Sequence, residues 1–189
     1  TKLQPAHQPP SSRSAHRPQE GIFFASTPLQ LGFNTPLQLA KLPASMVQEG
    51  SIANKPEDAA LWECHLRDGD LVIMATDGVW DNVHNAEIVQ LTRFIKEKHH
   101  ASWVSEHEGA PSKMSASRAE KENGAKDWLA EERSFVQVLA HNLIEYTRMC
   151  QFSQTKRSPF EREAERYGIH YPGGKVDDAA VVIALVVER

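Results

Sequence analysis

The sequence predicts a mixed fold of strands and helices, of the α+β class, and three observations carry that expectation. Two short apolar runs, 71–75 and 179–188, meet acidic turns and suit strands covered on both faces. Between them, in 127–150, Phe135, Leu139, Leu143, Tyr146 and Cys150 return at helical spacing and mark one buried stripe. With 189 residues, 40% of them hydrophobic and 24% charged, the chain is long enough for one domain with a core of its own.

Residues 1–20 are rich in Pro, Ser, Gln and His, with Glu20 as their one acid, and lack the apolar stretch of a secretory signal. They read as a disordered linker, and Thr1 in place of an initiator methionine suggests a chain that begins inside a larger protein. Order is expected from Gly21, where "GIFFAS" reads as a short strand. In "TPLQLGFNTPLQL" one five-letter string occurs twice, and Pro28 and Pro36 make it an extended loop with apolar anchors. Residues 41–60 are loop-like, and "ALWECHL" (60–66) alternates as a strand does. Asp68-Gly69 is a hairpin signal ahead of the strand 71–75.

Asn85 is suited to cap a helix, and Ile88, Leu91, Phe94 and Ile95 continue it to about Lys98. The polar, mixed-charge stretch 99–126 contains Gly109, Pro111 and Gly124 and predicts a mobile insertion. The long helix 127–150 follows. Ser158-Pro159 then opens a short helix that stops at Gly168. "YPGGKVDD" turns into the last strand.

The net charge is −4 and Lys and Arg form no dense stripe, which argues against a nucleic-acid or anionic-membrane surface. No apolar stretch approaches the roughly 20 residues of a membrane-spanning helix. Cys64 and Cys150 lie far apart and read as free thiols, so a reducing compartment is the default.

The chemistry sits where strands meet acidic turns. One strand runs into Thr76-Asp77-Gly78, while Gly174-Lys175-Val176-Asp177-Asp178 runs into the other. If the two strands pair antiparallel, both acidic ends meet at one rim, with Asp77 beside Asp177. Facing carboxylates repel unless a cation lies between them. Oxygen donors alone favour a hard ion, Mg²⁺ or Mn²⁺. A single Asp-Gly after a strand is ordinarily a turn or a helix cap, so the pair is what carries the reading. Other residues have structural readings. His99-His100 end a helix, His65 and Cys64 pack on a strand, Trp80 fills the core, and Lys175 reads as a solvated turn lysine before it reads as one facing a substrate phosphate. Glu161, Glu163 and Glu165 form a wet helix face.

"GDLVIMATDGVWDN" and "GGKVDDAAVVIALV" resemble two segments of the metal-dependent type 2C protein serine/threonine phosphatases. "FNTPLQL" and "SPFEREAERYG" are similar to the mitochondrial subgroup of that family, related to bacterial stage-II sporulation phosphatases. The resemblance spans 21–189 and covers the C-terminal part of the family domain. It implies a four-layer αββα sandwich, two antiparallel sheets with outer helices. It implies hydrolysis of phosphoserine and phosphothreonine in a phosphoprotein substrate, through a hydroxide bridging two Mg²⁺ or Mn²⁺ ions. Asp77 and Asp177 match metal ligands. Asp178 matches a supporting position, and Gly78, Gly173 and Gly174 match glycines that let the backbone come close. The family's first-strand acid, its bridging Asp-Gly and its basic phosphate-binding residue have no counterpart before Gly21, and Ala180 stands where Thr is usual. The expectation is therefore a monomeric fragment with little activity alone, mitochondrial by subgroup or else cytoplasmic. The alternative is a phosphatase-like binding or regulatory protein without catalysis.

Overall fold

The computed structural model describes residues 21–48, 50–106 and 118–188. The linker expected at 1–20 lies outside them. The chain divides into two units, Thr1–His65 and Leu66–Arg189.

In the first unit the repeated string forms a hairpin instead of an extended loop. Strand β1 (Gln30–Gly32) pairs antiparallel with β2 (Thr35–Pro36). Asn34 makes the reversal at φ 49, a left-handed conformation that asparagine tolerates. The Thr35 hydroxyl donates to the Phe33 carbonyl at 3.0 Å. Single 3₁₀ turns follow at Ala44–Met46 and Pro56–Asp58. Neither 21–26 nor 60–66 forms the expected strand. Alternation marks which side chains could share a face, but a strand also needs a neighbour to take its backbone hydrogen bonds. Leu61 is 93% exposed and Cys64 is exposed too. Phe24 and Trp62 meet edge to face, with ring centroids 6.3 Å apart.

In the second unit β3 (Leu71–Ala75) pairs antiparallel with β4 (Val181–Leu185), in a register from Leu71↔Leu185 to Ala75↔Val181. The Asp68-Gly69 turn forms with Gly69 at φ +81 but opens no hairpin with 60–66. It closes on the far end of β4: Gly69 N–H donates to Val186 O at 2.9 Å, and the Asp68 carboxylate accepts from Glu188 N–H at 2.9 Å.

Helices α1 (Asp77–Trp80), α2 (Asn85–Glu106), α3 (Arg118–Gln151) and α4 (Pro159–Arg166) complete the unit. Glu87 caps α2, accepting from His84 N–H at 2.7 Å. Both long helices extend beyond their apolar stripes, so 99–106 and 118–126, parts of the expected insertion, are helical, and the rest of it, 107–117, lies outside the described residues. An apolar stripe marks only the part of a helix that an apolar face holds; polar residues of good helix propensity, such as Glu, Lys and Arg, and Ala with them, continue a helix without leaving that mark. His99 and His100 therefore sit within α2, and bond to Ser134 at 3.0 Å and Glu131 at 3.1 Å on α3.

One face of the β3–β4 pair is covered. Ile73, Ala75, Val181 and Ile183 pack on a core of Val79, Val83, Ile88, Leu143 and Cys150; Leu71 and Ile183 pack on Ile95, Phe135 and Leu139. Leu139 and Leu143 are fully buried, and each contributes roughly 1.5–3 kcal/mol of transfer free energy. Among the described residues the other face is open, against the cover on both faces that the apolar runs predicted. Met74 and Val182, cross-strand partners, are 60% and 59% exposed.

Helix α4 starts as its sequence predicts. The buried Ser158 hydroxyl accepts from Glu161 N–H at 3.0 Å and donates to Gly173 O at 2.5 Å, and Pro159 occupies the first turn. Ser158→Ala removes the cap and leaves the Gly173 carbonyl without this donor. The expected loss is about 1–2 kcal/mol, read by urea unfolding; an unchanged midpoint would refute the cap's contribution.

Candidate metal centre

The two acidic turns are joined backbone to backbone at the rim where β3 ends and β4 begins. Thr76 N–H donates to Ala180 O at 3.1 Å, and the Thr76 hydroxyl donates to Asp178 O and accepts from Ala180 N–H, both at 3.0 Å. Gly78 lies directly against the second turn. A Cβ there would stand 2.3 Å from the Asp178 carbonyl oxygen, so no side chain fits.

Two buried amides fix the second turn from behind. Asn82 donates to Gly78 O at 2.9 Å and Lys175 O at 2.8 Å, and accepts from Lys175 N–H at 2.8 Å. Gln151, at the end of α3, donates to Asp177 O at 2.7 Å. Gly173 takes φ +89, and its N–H donates to the Glu161 carboxylate at 3.0 Å. Glu161 is thus part of the scaffold as well as of a helix surface. Gly173 and Gly174 approach Ser153 and Cys150 at the end of α3, which seats the loop.

The outcome is a cluster of carboxylates. Asp77, Asp81 and Asp177 each offer an oxygen, and these oxygens lie within 4.8 Å of one another. Sequence reasoning singled out Asp77 and Asp177 but passed over Asp81. Its signal was present: Asp77 and Asp81 are four residues apart, on one helical face if the turn after β3 coils. Asp178 is exposed, and it supports the turn by donating its N–H to Asp177 Oδ1 at 2.9 Å. Trp80 lies at the surface, 37% exposed, with its indole N–H bonded to Ala75 O at 2.9 Å.

Lys175 is not a solvated turn residue. Its side chain is 15% exposed, and its ammonium stands 2.7 Å from Asp81 and 2.9 Å from Asp177. The Phe160 ring lies 4.9 Å away, on the side of α4. Burial pulls the Lys175 pKa down, but the hydrogen bonds to Asp81 and Asp177 outweigh it and hold it well above the ordinary lysine value. Burial pushes Asp81 up, against the pull of Lys175; Asp77 and Asp177 add to the rise. Asp177 moves the other way, because the Lys175 hydrogen bond lowers it and it is less buried.

The donor set fits a hard cation. Oxygen ligands at roughly 2.0–2.6 Å place opposite ligands about 4–5 Å apart, the span of this triad. Among the described residues no His or Cys takes part, which disfavours zinc.

No family model matches the chain. It is 30% identical over 155 residues to the protein phosphatase PTC7 homolog fig of Drosophila grimshawi, covering 82% of this chain and 40% of that protein. It is 27% identical over 168 residues to the 5-azacytidine resistance protein azr1 of Schizosaccharomyces pombe, covering 89% and 46%. The chain thus spans less than half the length of these curated relatives. A solved structure of the photosystem II phosphatase PBCP superimposes with a TM-score of 0.56 at 21% identity, over 89% of this chain and 53% of that one. At that identity the shared feature is the fold.

Proposed function

We propose, from the premise that this chain is a distant homologue of the type 2C phosphatases of the PTC7 subgroup over most of its length, that it carries the C-terminal half of a metal-dependent phosphoserine/phosphothreonine phosphatase centre. The observation that carries this reading is the oxygen-only triad of Asp77, Asp81 and Asp177 at the joined ends of β3 and β4. Asp77 and Asp177 would hold the divalent cations, Mg²⁺ or Mn²⁺, with Asp81 beside them. When bound, such ions neutralise phosphate charge and activate water for in-line attack. The chain's own residues position the carboxylates: Thr76 clamps the two turns, Asn82 and Gln151 hold the second, and Gly78 keeps the gap between them closed.

The open face of the β3–β4 pair supports a fuller fold. Met74 and Val182 present apolar surface where a second sheet would pack in an αββα sandwich. Three carboxylates are also few ligands for a binuclear pair, so the further donors belong to the part of the relatives that this chain does not span. By subgroup the reading has the longer protein act on phosphoproteins in the mitochondrion, with the cytoplasm as the alternative.

The test starts from the transcript. Its longest encoded protein and the 189-residue chain are each assayed for Mn²⁺-dependent phosphate release from phosphoserine and phosphothreonine peptides. The chain alone is expected near background. The longer protein is expected to turn over, with kcat lowered on the order of 10²-fold or more by Asp77→Ala. Full activity in that variant would remove Asp77 from the site. Phosphopeptide binding without turnover in the longer protein would favour a non-catalytic binding role.

A further inference from the structure

We propose that Lys175 is a resident counter-ion of the acidic triad, which holds the carboxylates together without a divalent ion and must leave when one enters. The inference rests on the reading of the triad as a cation site.

Three carboxylates with oxygens within 4.8 Å of one another would repel each other strongly if uncompensated. Lys175 supplies the compensation from inside the cluster, bridging Asp81 and Asp177 at 2.7 and 2.9 Å. Its backbone is pinned independently of its ammonium. Asn82, wholly buried and next in sequence to Asp81, bonds both the N–H and the C=O of Lys175. The main chain is therefore tied to the segment that carries Asp81, while the flexible aliphatic stem is left to move the charge.

The ammonium and a divalent ion compete for Asp177, the carboxylate common to both. A cation held by Asp77 and Asp177 would lie within a few ångströms of Nζ, which stands 2.9 Å from Asp177, and two like charges at that distance repel. Entry of the ion is thus an exchange: Lys175 releases Asp81 and Asp177 and swings outward to water. The exchange keeps the site preformed, at the cost of weaker cation affinity. It also leaves the freed ammonium beside the site, on a stem long enough to meet an anion held there.

Two measurements on the full 189-residue chain test this. The first is Mn²⁺ binding by electron paramagnetic resonance, for the chain, Lys175→Met and Lys175→Arg. Lys175→Met is expected to bind roughly tenfold more tightly at low salt, because no resident charge must be displaced. Lys175→Arg, which keeps the charge, is expected to stay near the unsubstituted affinity. The second measurement needs no substitution. Amine-reactive labelling read by mass spectrometry should rise several-fold at Lys175 on addition of Mg²⁺, while Lys156, paired with Glu87, stays constant. Equal Mn²⁺ affinity in all three proteins, or Lys175 labelling unchanged at saturating Mg²⁺, would overturn the counter-ion role and leave the metal site standing. Absence of Mn²⁺ binding in every protein would overturn the exchange, because no ion then displaces Lys175; the metal site is judged separately, by the activity of the longer protein.

Discussion

Gly174→Ala is expected to destabilise the second unit by about 3 kcal/mol or more, the upper end of the cost of overpacking. A Cβ at this position would stand 2.0 Å from the Cys150 carbonyl oxygen and 2.6 Å from that of Gln151. Ordinary carbon contacts begin near 3.5 Å, and the obstacle here is backbone at the end of α3, which cannot rotate away as a side chain can. Relief requires the 173–178 loop to lift off the helix. That would break the bond from Gly174 N–H to Ser153 O at 2.8 Å and strain the Gln151 bond to Asp177. Urea unfolding of the variant reads the loss. Gly32→Ala is the control, since nothing lies within 4 Å of a Cβ there, and it should change stability by less than about 1 kcal/mol. A Gly174→Ala midpoint equal to that of the control would show that the loop adapts, and would remove the close approach as a determinant of the site.

Glu87→Gln is expected to cost about 2–3 kcal/mol at neutral pH, because it strands a largely buried cation. Glu87 pairs with Lys156, accepts from the Tyr146 hydroxyl at 2.7 Å and caps α2 through His84 N–H. The Lys156 side chain is only 17% exposed, and the Gln variant leaves it facing a neutral amide. This cluster ties the start of α2 to the end of α3 and to the segment after it. Burial raises the Glu87 carboxyl, but the bonds from Lys156, Tyr146 and His84 outweigh it and hold it below its ordinary value of 4.5. The Tyr146 hydroxyl is pushed up to about 12 by burial and by its bond to Glu87.

The pH dependence follows in sign. A lowered carboxylate contributes stability that is present above its unfolded pKa and lost as pH falls through its folded value. The unsubstituted chain should therefore lose this increment below about pH 4.5, and Glu87→Gln should lack that part of the acid transition. Parallel pH–stability curves for the two proteins would refute the contribution.

The parts of the fold legible in the sequence are those fixed by neighbouring residues. An apolar run beside a turn gave β3 and β4; Ser158-Pro159 gave the start of α4. The antiparallel pairing then brought Asp77 and Asp177 together as their opposite polarity required. The illegible parts are pairings between distant segments. Tyr146 and Lys156 meet Glu87 from 59 and 69 positions away, and Lys175 meets Asp81 from 94. No local pattern reports such partners, which is why Lys175 read as solvated. The alternation at 60–66 failed for the converse reason, a local pattern with no neighbouring strand to complete it.

The pairing of β3 with β4 bears on the order of folding. The two strands stand at opposite ends of the second unit in sequence, with the four described helices between them. The helices form through contacts a few residues apart, whereas the strands can meet only after the intervening chain has become compact. The α2–α3 pair is thus expected to form early and the strand ladder late, which pulsed hydrogen exchange would read as later protection of 71–75 and 181–185 than of the two helices. Because the acidic cluster exists only once that ladder closes, the candidate centre would then be the last feature of the unit to be assembled and the first to be lost when the strands part.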